Sequence, residues 1–164
     1  MQAWLGLGAN LQQPVLQLKE AVKRLGQMAG IEVSQVSSFY RTPPWGDVQQ
    51  DDFVNAVLQI ETSLDPLDLL QCMQSIENDM GRQRSGNRWG PRLIDIDLLL
   101  FGDQIINGKA LRVPHPHMHE RAFVLLPLAE LDEELEIRGH GTVGSLLAHL
   151  DCSEIYALDE SAGG

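Results

Sequence analysis

Two aspartates stand two residues apart, Asp95-Ile96-Asp97, inside the apolar run LIDIDLLLF. Four arginines, Arg82, Arg84, Arg88 and Arg92, fall in the short window before them with no acidic residue in between. Ionised groups are seldom set among Ile and Leu in a strand without a partner or a metal. On an extended backbone both carboxylates leave one face while Ile94, Ile96, Leu98 and Leu100 leave the other. The two aspartate Cβ atoms then lie about 7 Å apart at roughly 3.3 Å rise per residue. Like charges so close repel unless a cation sits between them, and hard oxygen donors with open water positions suit Mg²⁺ held together with substrate phosphates. Arginine forks clamp phosphate oxygens through paired hydrogen bonds. Metal and arginines together indicate phosphoryl chemistry. The plainer alternatives are a solvent-facing edge strand for the aspartates and a solvated charge run for the arginines.

Further polar and aromatic residues bear on a ligand. In PHPHMH, His115, His117 and His119 alternate. Such spacing is compatible with a zinc site on an extended segment, but no cysteine or acidic motif at the usual spacing accompanies it and the prolines enforce an irregular loop. The favoured reading gives His115 a phosphate contact and leaves His117 and His119 as surface or capping residues. TPPWGD, with Phe53, Asn55, Trp89 and Phe123, supplies aromatic faces for a planar heterocycle and an amide that both donates and accepts along its edge. Each aromatic taken alone fits a core position better than a ligand site. GLGAN lacks the third glycine and the lysine of phosphate-binding fingerprints and reads as a strand-end turn.

These residues need elements to hold them. Residues 2–8 read as a strand, and Pro14 opens a helix in which Val15, Leu18, Val22, Leu25 and Met28 recur at helical spacing. Ile31 to Arg41 favours a second strand ending at TPPWGD, and Phe53 to Glu61 a third. In the third, Val54, Ala56, Leu58 and Ile60 share one face, and Asn55, Gln59 and Glu61 the other. Asp65-Pro66 starts a helix with the stripe Leu69, Leu70, Met73, Ile76 and Met80, followed by a loop from Gly81 to Trp89 and a fourth strand from Leu93 to Phe101. Strand, helix, strand, strand, helix, strand is the order of a ferredoxin-like α+β sandwich, a βαββαβ core. C-terminal helical additions are expected from Met118 to Leu126, with Pro127 interrupting, and after Thr142 as a cap.

The 164 residues suit a single domain, taken as 1–160 with a flexible tail at 161–164. A hydrophobic fraction of 43% is spread in runs far shorter than the roughly 20 residues of a membrane span. No secretory leader is visible at MQAWLGLGAN. Cys72 and Cys152 are isolated and suggest reduced thiols. A net charge of −11 argues against nucleic acid and anionic membranes as partners. The expectation is a cytoplasmic monomer with a local anion site.

At these residues the chain resembles the 6-hydroxymethyl-7,8-dihydropterin pyrophosphokinases of folate biosynthesis. GLGAN, SSFYRTPPWG, FVNAV, Arg82-x-Arg84, RWGPRLIDIDLLLFG and VPHPHMHERAFVLLPL follow that family's order over nearly the whole chain. The resemblance implies the ferredoxin-like fold and transfer of the pyrophosphoryl group of ATP to the pterin hydroxymethyl oxygen, with release of AMP. It implies that Asp95 and Asp97 hold two Mg²⁺ ions, with Arg82 and Arg92 taking part in catalysis. Arg82, Arg84, Arg92, His115 and Arg121 would meet the phosphates. Glu77, Leu98, Trp89 and Arg112 would lie on the nucleotide side. Thr42, Pro43, Pro44, Trp45, Phe53, Asn55, Trp89 and Phe123 would form the pterin pocket. Rival readings are a non-catalytic ferredoxin-like binding module, which leaves the aspartate pair unexplained, and a metal-dependent hydrolase using the histidines.

Overall fold

The structure, a computed structural model, describes residues 1–10, 13–42, 52–85 and 94–161, with the side chains of 82–85 and 159–161 outside the description. Its strands and helices run in the order β1 (Gln2–Ala9), α1 (Pro14–Gln27), β2 (Ile31–Val36), β3 (Ser38–Thr42), β4 (Phe53–Thr62), α2 (Pro66–Ser85) and β5 (Asp95–Phe101). There follow β6 (Ile106–Asn107), β7 (Arg112–Val113), a 3-10 turn at Met118–Glu120, α3 (Ala122–Asp132), β8 (Glu136–Ile137), β9 (Gly141–Thr142), α4 (Val143–Leu147) and β10 (Tyr156–Ser161).

The main sheet has the order β10-β3-β4-β1-β5, with β2 also on β4, and every neighbouring pair is antiparallel. This is the expected ferredoxin-like topology, with β2 and β3 together filling the place of its second strand. The single strand read from Ile31 to Arg41 divides at Ser37. That residue is buried, its N–H donates to the Val57 carbonyl at 2.9 Å, and its hydroxyl accepts from the Val57 N–H at 2.9 Å. The side chain thereby takes a ladder position and the register slips by one.

Both faces of the sheet are covered. On the first, Ala3, Leu5, Leu7, Val54, Ala56, Leu58, Ile60, Ile96 and Leu98 pack against Leu18, Ala21 and Leu25 of α1 and Leu69, Met73, Ile76 and Met80 of α2. On the second, Trp4, Val57, Leu99 and Leu100 pack against Met118 and against Val124, Leu125 and Leu128 of α3. Leu98 and Leu100 face Leu5 and Trp4 respectively, so Leu99 is the extra residue of a bulge, and Leu99 and Leu100 both join the second face.

Three further expectations are corrected. Pro127 lies inside α3 instead of ending it: it is buried in the second core, which offsets the one backbone bond that a proline forgoes. The helix expected from Met118 is a 3-10 turn, and α3 begins only at Ala122. Helix α2 continues past Gly81 to Ser85, so the backbone at Arg82 and Arg84 is helical, not a loop. One exposed-type glycine costs a helix only about 1 kcal/mol, and Arg, Gln and Arg are good helix formers. The Thr142 cap is as expected, its hydroxyl accepting from the Ser145 N–H at 3.3 Å. The C-terminal strand β10 has no counterpart in the sequence reading. Among the described residues no helix is long and apolar enough to cross a membrane.

Candidate functional site

The second face is filled by helix α3 at one end only. Register shows what happens at the other. Val57, Gly6 and Asp97 lie in one cross-strand row of β4, β1 and β5, and Asn55, Gly8 and Asp95 in the next. The central strand therefore contributes no side chain to either row. Asn55 and the two carboxylates stand around a bare backbone floor, and the open end becomes a cavity of about 240 Å³. It is lined by Gly6, Gly8, Thr42, Phe53, Asn55, Asp95, Asp97, Arg121 and Phe123, among others. GLGAN is thus not a strand-end turn, because Gly6 and Gly8 sit within β1 and pair on both sides. A Cβ on Gly8 would stand 2.9 Å from Asn55 Oδ1, which no real Cβ tolerates.

Each wall residue has a local reason for its place. Asn55 is 8% exposed and donates from Nδ2 to Thr42 Oγ1 at 3.1 Å, which fixes the amide plane and directs Oδ1 over Gly8. A buried amide held in this way can accept from a ring N–H of a ligand. Phe53 opens β4 at the rim and is half-buried. Phe123 opens α3, and the Arg121 guanidinium carbon lies 5.7 Å from its ring centroid, a cation–π distance.

Asp95 and Asp97 are exposed, whereas Ile96 between them is buried on the opposite face, as the period of two requires. The backbone N–H of Ile96 donates to Glu77 Oε2 of α2 at 2.8 Å. His115 docks beside the same strand, its N–H donating to the Leu99 carbonyl at 3.0 Å. Its Nδ1 accepts from the His117 N–H at 3.3 Å, so a neutral ring carries its proton on Nε2. Burial lowers the pKa of this imidazole, Asp97 opposes the shift, and Arg121 and His117 add to it. Asp97, His115 and Arg121 therefore share one electrostatic neighbourhood.

The other expected residues separate into three groups. Leu98 is 4% exposed on the first face, among the α2 contacts, and lines no part of the cavity. Arg112 is exposed on the β6–β7 ribbon, away from the cavity lining. Pro43, Pro44, Trp45, Trp89 and Arg92, like Arg88, lie outside the described residues, as do the side chains of Arg82 and Arg84. The histidines do not converge on a metal. His119 stacks on His140 at 3.7 Å with 9° between the rings, and His117 and Glu120 approach only to 3.9 Å. Among the described residues no group of three or more histidines, cysteines and acids could hold a metal. Two carboxylates open to solvent would suit a cation that keeps its remaining positions for water and substrate phosphate, as Mg²⁺ does.

A ferredoxin-like sheet carrying an aromatic-rimmed cavity beside two solvent-facing carboxylates has the make-up of a phosphoryl-transfer enzyme acting on a small heterocycle. The model of the 7,8-dihydro-6-hydroxymethylpterin-pyrophosphokinase (HPPK) family matches residues 4–133, and the chain belongs to that family. It is 47% identical to the 2-amino-4-hydroxy-6-hydroxymethyldihydropteridine pyrophosphokinase of Methylorubrum extorquens over 158 residues, 96% of this chain and 99% of that one. It is also 47% identical to the enzyme of that name from Haemophilus influenzae, over 81% of this chain and 82% of the other. A crystal structure of wild-type HPPK-DHPS from Plasmodium falciparum superimposes with a TM-score of 0.70 at 18% identity, covering 90% of this chain and 40% of the longer one, a likeness of fold. The chain is accordingly an ATP-dependent pyrophosphokinase of folate biosynthesis.

Gly6 and Gly8 are the site residues that sequence reasoning missed. The signal was present: two glycines at i and i+2 inside an apolar strand strip one face of its side chains.

Proposed function

We propose that residues 1–160 act as one cytoplasmic, monomeric catalytic unit in which Asp95 and Asp97 hold two Mg²⁺ ions and the glycine floor holds the pterin. What carries the reading is the register Asn55–Gly8–Asp95, which sets a ring-reading amide and a cation-holding carboxylate on opposite sides of one bare strand. Asn55 Oδ1 accepts from a ring N–H of the heterocycle. Phe53 and Phe123 flank its faces, joined by Thr42 and, from the undescribed segments, by Pro43, Pro44, Trp45 and Trp89. A flat ring so placed points its hydroxymethyl group toward the aspartates.

The pterin hydroxymethyl oxygen forms a bond to the β-phosphorus of ATP while the bond from that phosphorus to the α,β-bridging oxygen breaks. AMP departs with the bridging oxygen, and the hydroxyl proton is lost to solvent. Bound Mg²⁺ supplies neutralisation of phosphate charge and a template for in-line attack. The residues of the chain do the rest. Arg121 and the Nε2–H of His115 meet phosphate oxygens beside Asp97, with Arg82, Arg84 and Arg92 completing the clamp. Leu98 and Arg112, which line no part of the cavity, would meet the nucleotide only beyond it.

AMP formation from ATP, measured with and without 6-hydroxymethyl-7,8-dihydropterin, tests the reading. AMP should appear only when both substrates and Mg²⁺ are present. Release at the same rate without the pterin would make the protein a hydrolase.

A further inference from the structure

The outer edge of β5 carries an arrangement that the cavity itself does not use. In the main sheet β5 is an end strand, paired with β1 alone. Peptide groups along an extended strand alternate between its two edges, and the N–H of Ile96, midway between the aspartates, faces away from β1. An end strand leaves such groups to solvent and is prone to fray. Here the group is met by a side-chain carboxylate, Glu77 Oε2, at 2.8 Å. Glu77 follows Ile76 and precedes Met80, which are 3% and 2% exposed in the first core, so the helix that delivers the carboxylate is itself fixed against the sheet.

The position along the strand matters as much as the bond. Asp95 is the first residue of β5, and on the inner side it pairs with Gly8. Further along, the His115 N–H holds the Leu99 carbonyl from outside. Between that bond and the strand's beginning, the Glu77 contact ties the outer edge of β5 at the aspartates. A charged acceptor makes a shorter and stronger bond to a backbone N–H than a neutral one.

We propose that Glu77 is a positioning residue for the reaction: by clamping the Ile96 N–H from outside the sheet, it keeps Asp95 and Asp97 aimed at the glycine floor. This rests on the reading of the aspartates given above, and it gives Glu77 a role through β5 in place of direct contact with the nucleotide. Groups that orient metal-holding residues contribute about 10- to 100-fold in activity or metal affinity without touching the metal.

The test compares Glu77→Gln and Glu77→Ala in the full chain. Hydrogen exchange at the Ile96 amide is read in protein free of metal and nucleotide, and kcat and the KM for ATP are read at saturating Mg²⁺. Alanine should speed Ile96 exchange by about tenfold or more, the loss of a charge-assisted hydrogen bond. It should lower kcat by about 10- to 100-fold with the ATP KM little changed. Glutamine retains an acceptor at the same reach and should restore most of the protection and most of kcat. Unchanged Ile96 protection in the alanine variant overturns the proposal. So does a glutamine variant that keeps the protection yet loses turnover or ATP affinity, since that outcome makes Glu77 a ligand of the nucleotide. Should Glu77→Ala fail to fold, the glutamine variant decides by the same criteria. If Asp95→Ala and Asp97→Ala prove fully active, the reading of the aspartates fails, while the exchange at Ile96 still reports whether Glu77 holds the strand.

Discussion

The two faces of this sheet are made by the same strands, read at alternate residues, and are put to opposite uses. Under α1 and α2 the face is apolar from end to end, from Ala3 and Ile60 to Ala9 and Val54. Under α3 it is apolar only as far as Val57 and Leu99, then turns to glycine, amide and carboxylate. Because Cβ direction alternates, β1 can give Leu5 and Leu7 to one side and Gly6 and Gly8 to the other without any break in hydrogen bonding. A continuous core secures the backbone, and the opposite face of that secured backbone is free to carry groups that would not stabilise a fold. The comparison predicts that substitutions on the two faces separate stability from turnover.

The sharpest separation should come from the carboxylates. If Asp95 and Asp97 hold Mg²⁺ as proposed, Asp95→Ala or Asp97→Ala removes a hard cation ligand worth several kcal/mol in the transition state, and turnover should fall by roughly 10³-fold or more. Both side chains are exposed, and either loss should leave the metal-free fold intact. Turnover assays beside thermal melts check this, and near-normal turnover in a folded variant would remove the metal assignment. Leu58→Ala or Met73→Ala on the first face should do the reverse. Each side chain is fully buried, and the change should cost about 2–5 kcal/mol with the kcat of the folded fraction unchanged.

The floor offers a finer break. Gly8→Ala places a Cβ 2.9 Å from Asn55 Oδ1, whereas Gly6→Ala meets Leu99 at an ordinary 3.5 Å. Displacing Asn55 from its bond to Thr42 spoils the acceptor for the ring. Pterin binding should weaken by about 1–3 kcal/mol, the usual loss when a buried polar group is left unmatched. Gly6→Ala should affect binding less. Calorimetry with the pterin and a non-hydrolysable MgATP analogue distinguishes them, and equal losses would mean that the floor as a whole, not the Asn55 contact, sets the fit.

The contrast between faces also explains what could be read in the sequence. The aspartates, Asn55 and the apolar stripes were legible because strand period and helix period assign a face from spacing alone. Gly6 and Gly8 were not, since a glycine pair near a strand's end carries the same letters as a turn, and only pairing with β4 and β5 shows them as floor. Arg82 and Arg84 looked like loop residues because Gly81 precedes them, yet good helix formers continue α2 across it. Ser37 divides a strand through a side-chain bond to Val57, twenty residues away in sequence, that no local pattern reveals. Strand β10 has little β-branched character and is recruited by the open edge of β3.

A smaller effect joins the faces' framework rather than the site. Glu130 of α3 accepts from the Ser38 N–H, the Ser38 hydroxyl and the Tyr40 hydroxyl, tying the helix that carries Phe123 to β3. Burial first, and then the bond to Glu130, raise the Tyr40 pKa far above its ordinary value, so the phenol stays a donor throughout the physiological range. Tyr40→Phe should therefore destabilise by about 1 kcal/mol, with two donors left to the carboxylate. Chemical denaturation measures it, and turnover should be unaffected.

The smallest expected effect lies at His115, where two neighbours pull in opposite directions. Its folded-state pKa lies below the ordinary 6.5, chiefly because burial disfavours the charged ring. The sign follows: the stability that neutral His115 contributes is present in full above 6.5 and is lost as pH falls through the lower folded value. Asp97 favours the imidazolium and Arg121 opposes it. In metal-free protein Asp97→Asn should move the His115 titration further down, and Arg121→Ala should move it up. Imidazole proton shifts followed by NMR against pH read both directions. If the two variants move His115 the same way, Asp97 and Arg121 do not share its neighbourhood, and the end of the site proposed to meet the phosphates is not assembled as the structure places it.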